Sequence, residues 1–223
     1  TSEAFDSKLQ DRINSINNNN RSIMLTHGGK TQPWNNLYNY QEISFLKDGY
    51  WSKSSTLIDL QIHDAISVSP GLNSDQFFVG TWNNGLLEFL GDSLVNHYNS
   101  KNTNGAIETM VNGDYIRIGG VDVDQNNALW LTNSQANKPL VKFFNNSWTS
   151  FSVPNLSTNT MSGKIMCTSE GQKWIQLRDD GILVAKENEK GIISKKLGTG
   201  NGLPSTVVNC FVEEHDGSVW VGT

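Results

Sequence analysis

Short apolar runs bounded by Asn, Asp, Gly and Ser set the rhythm of this chain, the pattern of β-strands joined by tight turns. The stretch 209–223 shows the unit most plainly. Phe211 and Val212 end one run, Val219, Trp220 and Val221 form the next, and Asp216-Gly217 between them suits the positive φ angles of a hairpin turn. The arrangement recurs upstream, each time with a turn pair just before a large apolar anchor. Glu170-Gly171 precedes Trp174, Asn126-Asn127 precedes Trp130, Ser74-Asp75 precedes Phe78, and Asn20-Arg21 precedes Met24. The anchors Met24, Phe78, Trp130, Trp174 and Trp220 stand 54, 52, 44 and 46 residues apart. A repeat of that length with an aromatic in the second strand marks the blades of a β-propeller.

The repeat predicts an all-β fold over residues 1–223, a β-propeller of four-stranded antiparallel blades. Complete blades are expected at about 9–57, 60–100, 117–153 and 163–197, and half of a fifth at 205–223. The first begins with the alternating stretch 11–16 and carries the longest insert, 28–40, between its second and third strands. Residues 1–8 have length for one further strand at most. A ring normally finishes its last blade, so four and a half blades are expected to be a fragment of a larger propeller. Self-association through the open propeller ends is expected with it. Trp130, Trp174 and Trp220 are read as blade packing, with the Trp174 ring buried between two blades.

Composition agrees with a turn-rich β protein: 36% of residues are apolar, 17% charged, and 20 are Gly. A net charge of −5 with no cluster of Lys or Arg argues against nucleic acid or an anionic membrane as partner. No apolar run approaches the ~20 residues of a spanning helix. The start, Thr1 to Asp6, lacks the charged and apolar regions of a signal peptide, so a leader is expected to have been removed, or the chain cut from something longer. Cys167 and Cys210 stand at offsets of opposite parity from their anchors, which favours two free buried thiols over a bridge.

Candidate chemistry is sparse. Asp122-x-Asp124-x-Asn126 starts like a calcium loop, but Asn127 replaces its Gly and Asn133 its bidentate Glu, so strand and turn are the preferred reading. Gly28-Gly29-Lys30-Thr31 lacks the earlier Gly and the helix of a phosphate loop and reads as connection. His27, His63, His97 and His215 share no metal-ligand spacing, and no nucleophile elbow is present. No enzyme activity, cofactor or metal is expected. The aromatics Trp34, Tyr38, Tyr40 and Trp82 are a better lead, because they fall in connections between second and third strands, on the usual ligand face of a propeller. With Asn83 and Asn84 they form the candidate ligand site, rings stacking on sugars and amides meeting hydroxyls. The competing reading folds these rings onto the insert's own small core.

Two stretches carry a family resemblance. Gly202-Leu-Pro-Ser205, Val207, Asp216-Gly217 and Val219 to Thr223 resemble the repeat of two-component-regulator propellers, periplasmic sensor halves of hybrid histidine kinases in Bacteroides-type bacteria. Gly119 to Asp124, Trp130 to Ser134, Pro139 to Val141, Trp148, Lys173-Trp174 and Gly181-Ile182 resemble the N-terminal propeller of the PorZ family, surface components of type IX secretion. The resemblance implies an exported, non-catalytic binding or interaction propeller in the periplasm or at the cell surface. Its implied partners are cargo and anionic lipopolysaccharide, or other propeller and secretion-system domains. The alternative it implies is a sensor domain responding to a glycan. Both groups extend well beyond the length of this chain.

Overall fold

Four sheets of four antiparallel strands follow one another along the chain, each with its strands in sequence order, and a two-stranded sheet comes last. The computed structural model describes residues 13–20, 22–154 and 156–223. The expected strand start at 9–12, the segment 1–8 and the turn residue Arg21 lie outside the described residues. Blade one is β1 (Ser15–Asn19), β2 (Ser22–Thr26), β3 (Ile43–Lys47) and β4 (Tyr50–Ser54). A short helix, α1 (Thr56–Asp59), leads to blade two: β5 (Ala65–Pro70), β6 (Gln76–Thr81), β7 (Leu86–Leu90) and β8 (Ser93–Tyr98). Blade three is β9 (Arg117–Val123), β10 (Leu129–Ser134), β11 (Leu140–Phe144) and β12 (Ser147–Phe151). Blade four is β13 (Ser162–Cys167), β14 (Gln172–Leu177), β15 (Ile182–Asn188) and β16 (Gly191–Leu197). The closing hairpin is β17 (Cys210–Glu213) and β18 (Val219–Gly222). The protein is thus an all-β propeller arc of four complete blades and part of a fifth.

Strand alternation decides what holds the blades together. In β10, Leu129 and Leu131 face backwards and share a cluster with Phe78, Leu86, Ile118 and Val121. Trp130, one residue out of phase, faces forwards into blade four against Ile165, Ile175 and Leu183. Met24 likewise packs forwards on Phe77 and Val79 of blade two. The anchor found in the sequence is therefore the residue of each second strand that points at the next blade. Burial of one such ring contributes about 4–6 kcal/mol before entropic costs. Between blades the inner strands meet backbone to backbone. A Cβ on Gly119 of β9 would lie 2.2 Å from the Ser162 carbonyl oxygen of β13, so only glycine fits.

Polar groups complete the seam between blades three and four. Asp124 Oδ1 accepts the backbone N–H groups of Asn126 (2.9 Å) and Ala128 (3.0 Å), the hydrogen bonds of the β9–β10 turn. Its Oδ2 accepts the Trp130 indole N–H at 2.8 Å and Lys173 Nζ at 3.3 Å. The side chains of this ion pair are each 5% exposed, and Lys173 Nζ stands 4.3 Å from the Trp130 ring centroid. Burial opposes ionisation of Asp124, but the Ala128 amide, the Trp130 indole and Lys173 together hold its carboxyl below the usual range. Asp122 receives the Cys167 N–H at 2.7 Å. The aspartates of the calcium-like motif are thus spent on a turn and a blade seam.

Two expectations fail at the far end of the arc. Trp174 has the forward parity of Trp130 but is only half-buried, lining an open groove of about 420 Å3 with Val184, Ile193 and Leu197. Trp220 is 66% exposed rather than packed. The reason is that β17 and β18 contribute no residue to the buried apolar clusters, so blade four lacks the covering that it gives to blade three. Both cysteines are free, but neither is fully buried: Cys167 is half-buried and Cys210 exposed.

Trp130→Ala should therefore destabilise the protein in urea melts by about 3–5 kcal/mol, and Trp174→Ala by less than half as much. Equal losses would contradict the assignment of one ring to a sealed seam and the other to an open face. Asp124→Ala should cost about 3–5 kcal/mol, because it leaves Lys173 buried without its counter-charge. A loss under about 1 kcal/mol, the range of exposed pairs, would contradict that.

Candidate functional site

The insert between β2 and β3 folds into a small loop whose side chains reach blades two, three and four. Lys30 and Asn36 form an antiparallel bridge, the Thr31 N–H donates to Asn35 O at 3.0 Å, and the Trp34 N–H donates to Thr31 O at 2.8 Å. From blade two, the Trp82 indole N–H donates to Trp34 O at 2.8 Å, and the two rings meet edge to face with centroids 6.1 Å apart. The Asn36 amide donates to Trp82 O at 3.1 Å. From blade three, Arg117 donates through Nη2 to Asn36 Oδ1 at 2.7 Å. Trp34 extends as far as blade four, where a Cβ on Gly163 would lie 2.8 Å from its Cη2.

Asp64, just before β5, is fully buried and holds the second half of the insert. Its Oδ2 accepts the N–H groups of Leu37 and Tyr38, each at 3.0 Å, and its Oδ1 that of Asn39 at 3.1 Å. This grip maintains backbone that the residues themselves disfavour. Trp34, Tyr38 and Asp64 have φ of 61°, 57° and 57°, at about 1–2 kcal/mol each for residues with a Cβ. Held in this way, Tyr38 and Tyr40 lie against the His63 ring, with centroids 5.2 Å and 5.1 Å away. Burial lowers the His63 pKa below its ordinary 6.5 against the opposing pull of Asp64, which favours the neutral ring, and the Asn83 amide nitrogen lies 2.8 Å from Nε2. The Tyr38 and Tyr115 hydroxyls meet at 2.8 Å.

Lys30 lies over the Trp34 ring, its Nζ 3.4 Å from the centroid and 4.5 Å from that of Trp82. Arg117 is buried beside Trp82 and Tyr115, its Cζ 5.1 Å and 5.7 Å from their centroids. Burial, joined by the charges of Lys164 and Arg117, pushes the Lys30 pKa down to about 7.

The six candidates named from the sequence separate into three kinds. Tyr38 and Tyr40 are 52% and 51% exposed and present ring surface to solvent. Trp34 is half-buried. Trp82 is fully buried and offers no face to a sugar, a correction whose cause is its enclosure by Trp34, Lys30 and Arg117. Asn83 is buried and turned to His63, and half-buried Asn84 directs its N–H to Thr81 Oγ1 at 2.9 Å and its carbonyl to His97 Nε2 at 2.5 Å. Sequence reasoning missed Lys30, His63, Asp64, Tyr115 and Arg117. The signals were slight: a lysine in a glycine-rich connection, and a His-Asp pair before a strand.

Fold and site together define a propeller with an aromatic and cationic centre built on its second-to-third-strand connections. No protein-family model and no curated protein sequence matches the chain. Among solved structures it is similar to PorZ of Porphyromonas gingivalis, described as an essential bacterial surface component of the type-IX secretion system, with a TM-score of 0.82 and 21% identity. That alignment covers 99% of this chain and 32% of PorZ. The extracellular domain of a putative hybrid two component system from B. thetaiotaomicron gives a TM-score of 0.69 at 11% identity, covering 98% of this chain and 27% of that one. A virginiamycin B lyase from Staphylococcus aureus gives 0.62 at 12% identity, covering 94% and 62%. This chain therefore spans less than two thirds of each, and at these identities the likeness is one of fold.

The Lys30 pKa has a measurable consequence. Folded, the residue titrates near 7 rather than 10.5, so between those values the folded chain binds fewer protons than the unfolded one and gains stability as pH rises. In urea melts the wild type should gain on Lys30→Met from pH 7 to 10. A difference between the two that does not change with pH would contradict the burial of this charge.

Proposed function

We propose that this chain is a non-catalytic binding propeller, exported to the periplasm or cell surface, which recognises a glycan on the face formed by the insert. The observation that carries the reading is the pair of exposed rings, Tyr38 and Tyr40, fixed against His63 by a strained backbone that Asp64 holds in place. Rings set in place before binding lose little freedom when a sugar stacks on them. Binding is favoured over catalysis because the acid and the imidazole here are both engaged, Asp64 with three backbone N–H groups and His63 with Asn83. Export is supported by the fold likeness to a bacterial surface component and to an extracellular domain.

The likeness to PorZ also supports a finer proposal, that the glycan is part of a lipopolysaccharide handled with secretion cargo. A second reading, the ligand-sensing domain of a hybrid two-component kinase, draws on the fold likeness of 98% of this chain to the extracellular domain of a putative hybrid two component system.

A glycan array followed by calorimetry on the retained sugars tests the proposal. Tyr38→Ala and Tyr40→Ala should each weaken binding about 2- to 10-fold, as loss of a stacked ring would. No retained glycan, or variants that bind like wild type, would overturn it. Turnover of a bound sugar would overturn the non-catalytic part.

A further inference from the structure

Six cations of the described chain, Lys47, Lys53, Lys142, Lys173, Arg178 and Lys196, have a carboxylate partner within 4.0 Å. Eight others have none among the described residues; Lys101, Lys138, Lys186, Lys190 and Lys195 lie apart from the insert, whereas Lys30, Arg117 and Lys164 do not. These three come together. The antiparallel bridge between Lys30 and Asn36 places both side chains on one face of the insert, and Asn36 Oδ1 holds Arg117. Lys164 follows Gly163, the residue that Trp34 touches, and acts on Lys30 as a neighbouring charge. Asp64, the carboxylate whose charge reaches Arg117, has both oxygens taken by backbone N–H groups. Arg117 is 5% exposed, and its Nε is buried without a hydrogen-bond partner. Its Nη1 and Nη2 donate to Gln135 and Asn36, and because buried guanidinium donors normally find acceptors, the orphaned Nε points to an acceptor brought from outside.

We propose that the centre of the arc is an anion site, where Lys30, Arg117 and Lys164 receive a carboxylate or phosphate group of the bound ligand. It deepens the glycan reading and rests on the insert face being the binding face. The ligand class is then an acidic sugar, its ring on Tyr38 or Tyr40 and its charge toward the three cations. Lys30 and Lys164 supply mobile ammonium donors, and Arg117 supplies a fixed charge behind them. An anion there relieves the repulsion among the three, so binding takes up a proton wherever Lys30 is partly neutral.

Calorimetry on the whole chain with glucuronic acid, glucose 6-phosphate, glucose and inorganic phosphate tests this, with melting curves confirming that each variant folds. At pH 6 the acidic sugars should bind at least about tenfold more tightly than glucose, the worth of one charge-assisted contact. The exposed Lys164→Met and the stem-conserving Lys30→Met should each remove most of that preference. Their comparison with Tyr38→Ala separates charge from stacking. Affinity for glucuronic acid, whose carboxylate is ionised throughout, should fall from pH 6 to 8 in the wild type but not in Lys30→Met. The other titratable groups facing this centre, Arg117 from β9, Lys164 from β13, Tyr38, Tyr115 and Asp64 around Arg117, and His63, are present in both proteins, so the comparison isolates Lys30. Glucuronic acid against glucose 6-phosphate tells carboxylate from phosphate. Equal affinity for glucose and the acidic sugars, or a preference unchanged in Lys30→Met, overturns the anion site while leaving the glycan reading intact. Inorganic phosphate bound with no sugar recognised overturns the glycan reading and supports the anion site.

Discussion

Each blade is joined to the next by the forward-facing side chain of its second strand, and the rest of the arc depends on that contact. The constraint is one of parity. Because strand side chains alternate, only one set of positions in β10 can reach blade four, and Trp130 occupies it while Leu129 and Leu131 reach back. Inner strands then approach so closely that Gly119 has no room for a Cβ against Ser162. A seam packed this tightly encloses polar groups as well, and Asp124 and Lys173 are tolerated there because every acceptor oxygen of Asp124 has a donor.

The insert is a second, separate tie. Successive blades touch their neighbours, whereas Trp34 and Asn36 link blade one to blades two, three and four through Trp82, Arg117 and Gly163. This rigid centre is what positions Tyr38 and Tyr40. The same geometry gathers Lys30, Arg117 and Lys164, which have no carboxylate partner among the described residues, so the structural tie and the proposed recognition surface share residues.

Much of the architecture was legible in the sequence, because blade repeats write themselves as turn pairs and anchors at fixed offsets. Met24, Phe78 and Trp130 behave as that pattern requires. Trp174 and Trp220 carry the same signal yet remain partly or largely exposed, since an anchor is buried only when the next blade covers it. Parity along one strand cannot report that. The site was legible as a district rather than as a mechanism. Aromatics in the connections drew attention to Trp34, Tyr38, Tyr40 and Trp82, but which rings face solvent depends on contacts across 48 residues between Trp34 and Trp82. The meeting of Lys30 with Arg117 lies further still from any local pattern, as the 81 residues between Asn36 and Arg117 show. Asp64 has no signal in the sequence beyond its place beside His63, because backbone N–H groups, its true partners, leave no trace in side-chain spacing.

The claim that ligand recognition belongs to the centre of the arc is most directly tested by following the tryptophan indole N–H signals in a two-dimensional NMR titration with glucuronic acid. The indoles are independent reporters: Trp82 donates to Trp34 O beside Lys30, Trp130 to Asp124 in a sealed seam, and Trp174 to Gln172 on the open face of blade four. The Trp82 and Trp34 signals should move together and saturate, with Trp130 and Trp174 unchanged. Movement confined to Trp174, or to Trp148 between the outer strands of blades two and three, would contradict that claim and place recognition elsewhere on the propeller.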